Sequence, residues 1–235
     1  MSSDKINILC TRPLDQLLIN RAAIKNMAID TAAFIETEAI KDAAVVEQIQ
    51  AFAAQPITVI FTSMNAVEAV TRQLVAKPNW RIYCMGGYTK ELVFRFFGEA
   101  AVQGTGKNAT VLREKIIANE EHHQTRPVVF FCGDHRLDEL PETLRQHQVD
   151  VQELIVYTTT QTPQLVDKNY QGIVFFSPSA VHSFFSVNTI PISTVLFSIG
   201  KTTTATIQSY CTNKVVTSEW PGKEQMIELV MQYFN

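Results

Sequence analysis

The sequence lacks every residue pattern that would announce a nucleotide, a cofactor or a metal. Nine glycines in 235 residues are too dispersed to form a G-x-G-x-x-G at the end of an apolar run. The tight turn that brings backbone up to a dinucleotide pyrophosphate is therefore missing. Two stretches approach the phosphate-binding G-x-x-x-x-G-K-[ST] loop and fail in its first glycine slot. Val195 stands there before Gly200-Lys201-Thr202, and Ala101 before Gly106-Lys107, where Asn108 also replaces Ser or Thr. The five histidines, at 122, 123, 135, 147 and 182, contain no H-E-x-x-H, and no two of Cys10, Cys84, Cys132 and Cys211 form a C-x-x-C. His122-His123 reads as a solvated loop pair. Three of the four cysteines lie in or at the ends of apolar runs and are expected to pack as small hydrophobes without disulfides. A G-x-S-x-G elbow is absent too, because Ser63 follows Phe61-Thr62 and Ser177 follows Phe176, which disfavours a serine hydrolase.

Excess charge and long apolar runs are also wanting. A net charge of −3 and a pI near 6.0 supply no basic field for nucleic acid. No run reaches the ~18 apolar residues of a membrane span. Residues 1–6 carry no basic stretch leading into an apolar one, so the expectation is a cytoplasmic protein that touches no membrane. With 46% hydrophobic and 18% charged residues, the chain has ample material for a core and no signature of disorder.

What is present is a pattern that occurs twice. Ile173-Val174-Phe175-Phe176 stops at Ser177-Pro178-Ser179, a helical segment follows, and Val195-Leu196-Phe197-Ser198-Ile199 stops at Gly200-Lys201-Thr202-Thr203. Earlier, Val59-Ile60-Phe61 stops at Thr62-Ser63-Met64-Asn65, and Ile82-Tyr83-Cys84-Met85 at Gly86-Gly87-Tyr88-Thr89. Ser63 to Gly86 and Ser177 to Gly200 are both 23 residues. Apolar runs without alternation suit parallel strands buried on both faces, with helices as crossovers. Such sheets bind ligands outside the carboxyl ends of their strands, where these polar turns fall.

Taken in order, the chain predicts a first strand over 6–10 ending at Thr11-Arg12-Pro13. A helix with Leu14, Leu17, Leu18 and Ala22 inward comes next, then an extended stretch over 34–39. Helices are expected over 43–54 and 88–97, a turn over 103–108, and a helix through Leu112 and Ile116. A strand over 128–131 leads to a helix carrying Leu137, Leu140 and Leu144. Residues 153–159 read as extended again, 160–169 as a linker, 215–216 as a last strand and 223–234 as a last helix. The two extended stretches bracket the first copy of the repeat. They predict a paired two-strand hinge, a discontinuous domain of 1–36 with 162–235, a continuous one of 37–161, and a binding cleft between them.

Serine, threonine and asparagine at these turns would be needed as helix caps whatever the function. Their duplication at equal spacing favours a second role, with exposed N–H groups at helix N-termini binding carboxylates. Tyr157 ends the second extended stretch, where its ring either packs structurally or points into the cleft.

Phe61-Thr62-Ser63-Met64-Asn65-Ala66-Val67, Gly133 with Arg136 and Leu140, Val156-Tyr157-Thr158, Phe175-Phe176-Ser177-Pro178-Ser179-Ala180-Val181 and Ile199-Gly200-Lys201-Thr202-Thr203 together resemble the uroporphyrinogen-III synthases over nearly the whole chain. The resemblance implies two flavodoxin-like α/β domains joined by a two-stranded ladder. It implies closure of linear hydroxymethylbilane to uroporphyrinogen III, with inversion of ring D and loss of water, in haem biosynthesis. No metal or organic cofactor is implied. The expected enzyme is a monomer that takes a small-molecule substrate, in transient contact with the enzyme that makes it. Tyr157 matches the family tyrosine proposed as the acid. The substrate-binding candidates are Arg12, Thr62, Ser63, Asn65, Gly86, Thr89, Gly133, Arg136, Ser177, Pro178, Ser179, Gly200, Lys201, Thr202 and Thr203. Three positions depart from the family pattern: Lys201 and Thr204 stand in its G-P-T-T-A, and Cys132 stands where arginine is frequent. Lys201 adds a cation for a substrate carboxylate, and Cys132 removes one. On the residues alone a second reading stays open, a non-catalytic two-domain protein that binds a small poly-anionic ligand and has no need of Tyr157.

Overall fold

The computed structural model describes residues 5–119 and 127–234, so the polar stretch with His122 and His123 lies outside the described residues. In chain order the elements are β1 Ile6–Cys10, α1 Gln16–Ile24, β2 Met27–Thr31, β3 Ile35–Ala39, α2 Ala43–Ala53, β4 Thr58–Phe61 and α3 Met64–Thr71. Then come β5 Arg81–Met85, α4 Tyr88–Phe97, a 3-10 turn at Glu99–Ala101, β6 Val102–Gly106, α5 Ala109–Ile117, β7 Val128–Gly133, α6 Glu139–Gln146 and β8 Val151–Gln161. The chain closes with β9 Gly172–Phe175, α7 Pro178–Phe185, β10 Val195–Ser198, α8 Lys201–Gln208, β11 Val215–Thr217 and α9 Lys223–Tyr233. Two compact units result, Met1–Glu36 with Thr160–Asn235, and Thr37–Thr159.

The first unit holds a five-stranded sheet in the order β2-β1-β9-β10-β11. Every pair in it is parallel. Numbered within the unit this is 2-1-3-4-5, the flavodoxin order, whose switch point lies between the first and third strands, here β1 and β9. Strand residues alternate between two cores. Ile8, Cys10, Val174 and Phe197 pack with Met226, Ile227 and Val230 of α9. Leu9, Ile173, Phe175 and Leu196 pack with Val181 and Phe184 of α7.

The second unit holds a six-stranded sheet in the order β3-β8-β7-β4-β5-β6. Its pairs from β8 to β6 are parallel. At the edge, Ile40 N–H donates to the Val156 carbonyl at 2.9 Å and Thr162 N–H to that of Phe34 at 3.0 Å. One partner's number rises as the other's falls, so β3 and β8 are antiparallel. The parallel strands read 3-2-1-4-5, with the switch point between β4 and β7. This departs from the expected flavodoxin order. The reason is β6, whose Gln103-Gly104-Thr105-Gly106 reads as a turn in sequence but pairs with β5 as an edge strand. Again there are two cores. Val59, Phe61, Val129 and Phe131 face α3 and α4 with Trp80 and Phe97, while Ile60, Phe130 and Cys132 face α5 and α6 with Leu112, Ile116, Leu140 and Leu144.

The second parallel strand of the first unit, left unassigned by the sequence, is β2, entered through Asn26 at φ 58°, while residues 35–39 form β3 beside β8. Asparagine tolerates that left-handed conformation after a helix end, so the chain turns without a glycine to mark it. Leu17 is 72% exposed, and only Leu18 and Ala22 of α1 are buried. Leu137 precedes α6 and is also exposed, whereas Leu140 and Leu144 are buried as expected. Residues 151–161 form one strand, since β8 runs for 11 residues and takes in the start of the expected linker.

Candidate active site

In the second unit the polar turns gather at the carboxyl ends of β4, β7 and β8, beside the switch point. Ser63 has extended backbone and caps α3, its Oγ accepting the Asn65 N–H at 3.2 Å. Thr62 and Asn65 are half-buried on either side of it. The Ser63 side chain lies close enough to the Tyr157 hydroxyl to draw its pKa down.

Tyr157 reaches that place because β8 carries an irregularity. Cys132 pairs with Ile155, but the next residue of β7, Gly133, pairs with Tyr157. Val156 is thus an extra residue, a bulge. A bulge reverses the alternation of side chains beyond it. Without it Tyr157 would share a face with Val151, which packs toward α5 and α6. With it the ring joins Leu154 and Val156 on the side of α3. Gly133 makes the landing place. A Cβ on Gly133 would stand 2.4 Å from Tyr157 Cζ and 2.8 Å from its hydroxyl oxygen, so any side chain there would displace the ring.

Burial pushes the Tyr157 hydroxyl above the usual tyrosine pKa. Ser63 pulls the other way, and the charges near Cys132 and Asp134 push it further up. The phenol is therefore a neutral O–H donor at pH 7. Cys132 is buried, which pushes its thiol up to about 12. It offers no charge to a carboxylate.

Arg136 lies in the loop after β7. Its Nε donates to Glu153, which also accepts from Arg145 at 2.6 Å, and its Nη1 lies 3.3 Å from Asp138. Two carboxylates already hold the guanidinium expected to meet the substrate. At the β5 end, Gly86 N–H donates to Gly106 O at 2.8 Å. The backbone there needs glycine at Gly87, with φ 66°, rather than at Gly86. Thr89 is buried within α4.

The first unit presents a second polar rim at its own switch point. Thr11 follows β1 and donates through N–H and hydroxyl to the Val174 carbonyl, at 3.0 and 2.8 Å. Next to it the Arg12 guanidinium lies 5.4 Å from the centre of the Phe176 ring. Ser177 Oγ accepts the Ala180 N–H at 3.2 Å and caps α7, with Pro178 in the first turn and Ser179 half-buried. At the end of β10, Gly200 is extended and a Cβ would meet nothing within 4 Å, so its value is bare backbone rather than a strained turn. Lys201 and Thr202 are exposed at the start of α8, and Thr203 is buried at 2% exposure. Thr204 instead links Ser198 and Thr217 through its hydroxyl, at 2.5 and 2.6 Å.

Among the described residues no group of three or more His, Cys, Asp or Glu is placed to hold a metal, and no helix is long and apolar enough to cross a membrane. The family model described as uroporphyrinogen-III synthase HemD matches residues 28–228. The chain belongs to the uroporphyrinogen-III synthase family. Two solved structures support the fold. The chain is similar to uroporphyrinogen-III synthetase from Helicobacter pylori, at 16% identity and a TM-score of 0.64, covering 97% of this chain and 99% of that one. It is similar to a mutant uroporphyrinogen III synthase from Thermus thermophilus at 12% identity and a TM-score of 0.62, with 97% of each chain covered. The protein is thus a cyclising lyase that forms uroporphyrinogen III in haem biosynthesis, and the binding-only reading is not favoured.

Sequence reading named these turns but did not count Gly87, Thr11 or Asp134 among the site candidates. The first two have only local signals. Asp134 directly follows Gly133 at a strand end, and that adjacency is the signal that was available.

Proposed function

We propose that Tyr157 is the general acid for the loss of water from hydroxymethylbilane. The observation that carries this is a half-buried phenol seated against Gly133, with Ser63 beside it lowering its pKa. The proton passes from Tyr157 to the departing hydroxyl, the C–O bond breaks, and an electrophilic azafulvene remains. Ser63 stabilises the phenolate that forms, and so offsets part of the burial that makes the phenol a weaker acid. The substituted carbon of ring D then attacks, and the resulting spiro intermediate fragments and recloses inverted. The proton released as the last pyrrole regains aromaticity restores Tyr157. Nothing in this sequence calls for a cofactor.

The substrate carboxylates meet the N-terminal turns of α3, α7 and α8, with Arg12 and Lys201 as cations, because helix N-termini favour anions. Buried Thr89 and Thr203 contribute through packing and not through their hydroxyls. Holding a flexible poly-anion is most of the task, since inverted closure is a matter of orientation. The same reading makes β3 and β8, which carry the chain from one unit to the other, a two-stranded hinge. It also takes the enzyme to be a cytoplasmic monomer that receives its substrate in transient contact with the enzyme that makes it.

The test compares Tyr157→Phe with Ser63→Ala and Ser177→Ala, using enzymatically made hydroxymethylbilane and chromatographic resolution of type I and type III products. Tyr157→Phe is expected to lose most. The serine variants lose about 0.5–1.5 kcal/mol each, roughly 2- to 12-fold in rate. Equal losses in all three would contradict an acid role for Tyr157.

A further inference from the structure

A bulge leaves its extra residue unpaired in the ladder it interrupts, so on its β7 side β8 must be held by something besides regular pairing where Tyr157 leaves it. The ladder from β7 shows what does. Beyond Gly133, the Asp134 N–H donates to the Tyr157 carbonyl at 3.2 Å. The next N–H along β8 that faces β7 is Thr159, and it meets no backbone carbonyl. It donates to Asp134 Oδ1 at 2.9 Å. A side-chain carboxylate thus takes over as the ladder's next acceptor, and a charged acceptor makes a stronger bond than a carbonyl. One residue fastens β8 at Tyr157 and two residues beyond it, while Gly133 clears the space the ring occupies. The other carboxylate oxygen, Oδ2, lies 3.7 Å from His135 Nε2.

We infer that Asp134 is a positioning residue for this reaction, fixing the bulged segment of β8 so that the Tyr157 ring stays seated against Gly133. The inference rests on the proposed role of Tyr157. Asp134 itself touches no reacting atom. Its effect is on how often the phenol stands where the leaving hydroxyl is, and that changes kcat rather than substrate affinity. Displacing a reacting group by about 1 Å costs up to ~10²-fold.

The experiment is a cycle of four proteins, wild type, Asp134→Ala, Tyr157→Phe and the double variant, with Asp134→Asn as a fifth. Each is assayed for kcat and KM on hydroxymethylbilane and for its melting temperature. Asp134→Ala is expected to lower kcat roughly 10- to 100-fold with KM within about twofold. Asn keeps an oxygen at the same place and should recover most of that loss. On the Tyr157→Phe background, Asp134→Ala should cost nothing further, because residues that act as one unit are not additive. A loss in Asp134→Ala that appears in KM, or that adds in full to that of Tyr157→Phe, overturns the inference. So does a normal kcat in Asp134→Ala. A normal kcat in Tyr157→Phe overturns instead the acid role on which it rests. If Asp134→Ala does not fold, Asp134→Glu replaces it, moving the acceptor by one methylene, and the same outcomes decide.

Discussion

Gly133 and Tyr157 show how much of the site depends on one missing atom. Alanine at 133 would place its Cβ 2.4 Å from the ring carbon that bears the hydroxyl, at a point where Gly133 pairs with Tyr157 itself. The ring must shift from its seat. Gly133→Ala is therefore expected to cost roughly 10- to 100-fold in kcat while the protein still folds. Steady-state kinetics with a melting curve check this, and unchanged kcat would mean that the ring's seat on Gly133 does not matter. That Ser63 and Tyr157 lie together was not legible in the sequence, although both residues were named there. Strand-end turns flag Ser63, and the end of an extended stretch flags Tyr157. What brings them together is the Val156 bulge, and a bulge leaves no periodicity to read in a strand already rich in Val, Tyr and Thr. Arg136 is the converse case, a cation in a strand-end loop whose charge Glu153 and Asp138 already meet.

Elements announced by a run and a stop were legible almost to the residue. Tyr88–Phe97 is a helix with Leu92 and Val93 buried as the sequence suggests, though its third buried position is Phe97 and not Phe96, which is 47% exposed, and β4, β7, β9 and β10 are apolar runs buried on both faces. Edge strands were not. β2 and β6 are half-exposed, short of β-branched residues or rich in glycine, and their pairing partners decide their state. The entry of β8 has a consequence of its own. Glu153 is joined by Arg136 and by Arg145 of α6, which ties the strand to the helix. Burial alone would raise the Glu153 carboxyl, but the hydrogen bonds from Arg136 and Arg145 outweigh it and hold the group below its ordinary 4.5. A carboxylate lowered in the folded state adds stability at and above its unfolded pKa, and that stability is lost as pH falls through the folded value. Urea midpoints are thus expected to drop as pH is lowered below about 4.5. In Glu153→Gln part of that drop should vanish, and identical pH profiles for the two proteins would rule the tie out as a source of acid sensitivity.

For the whole molecule, two sheets with separate cores offer two polar rims, each at the switch point of its own strand order. The two different strand orders could not be anticipated from the sequence, because they turn on whether a glycine-rich segment pairs. If both rims hold substrate carboxylates, bound product should slow amide exchange at the first turns of α3, α7 and α8 together. Protection confined to one unit would restrict binding to that unit. The measurement that bears most directly on the account is the rate and product identity of Tyr157→Phe, which keeps the ring against Gly133 and removes only the O–H. Production of uroporphyrinogen III is expected to fall by the ~10²–10⁴-fold typical of a lost general acid, with an unchanged melting temperature and type I product accumulating. Full type III production by a normally stable Tyr157→Phe would contradict the account.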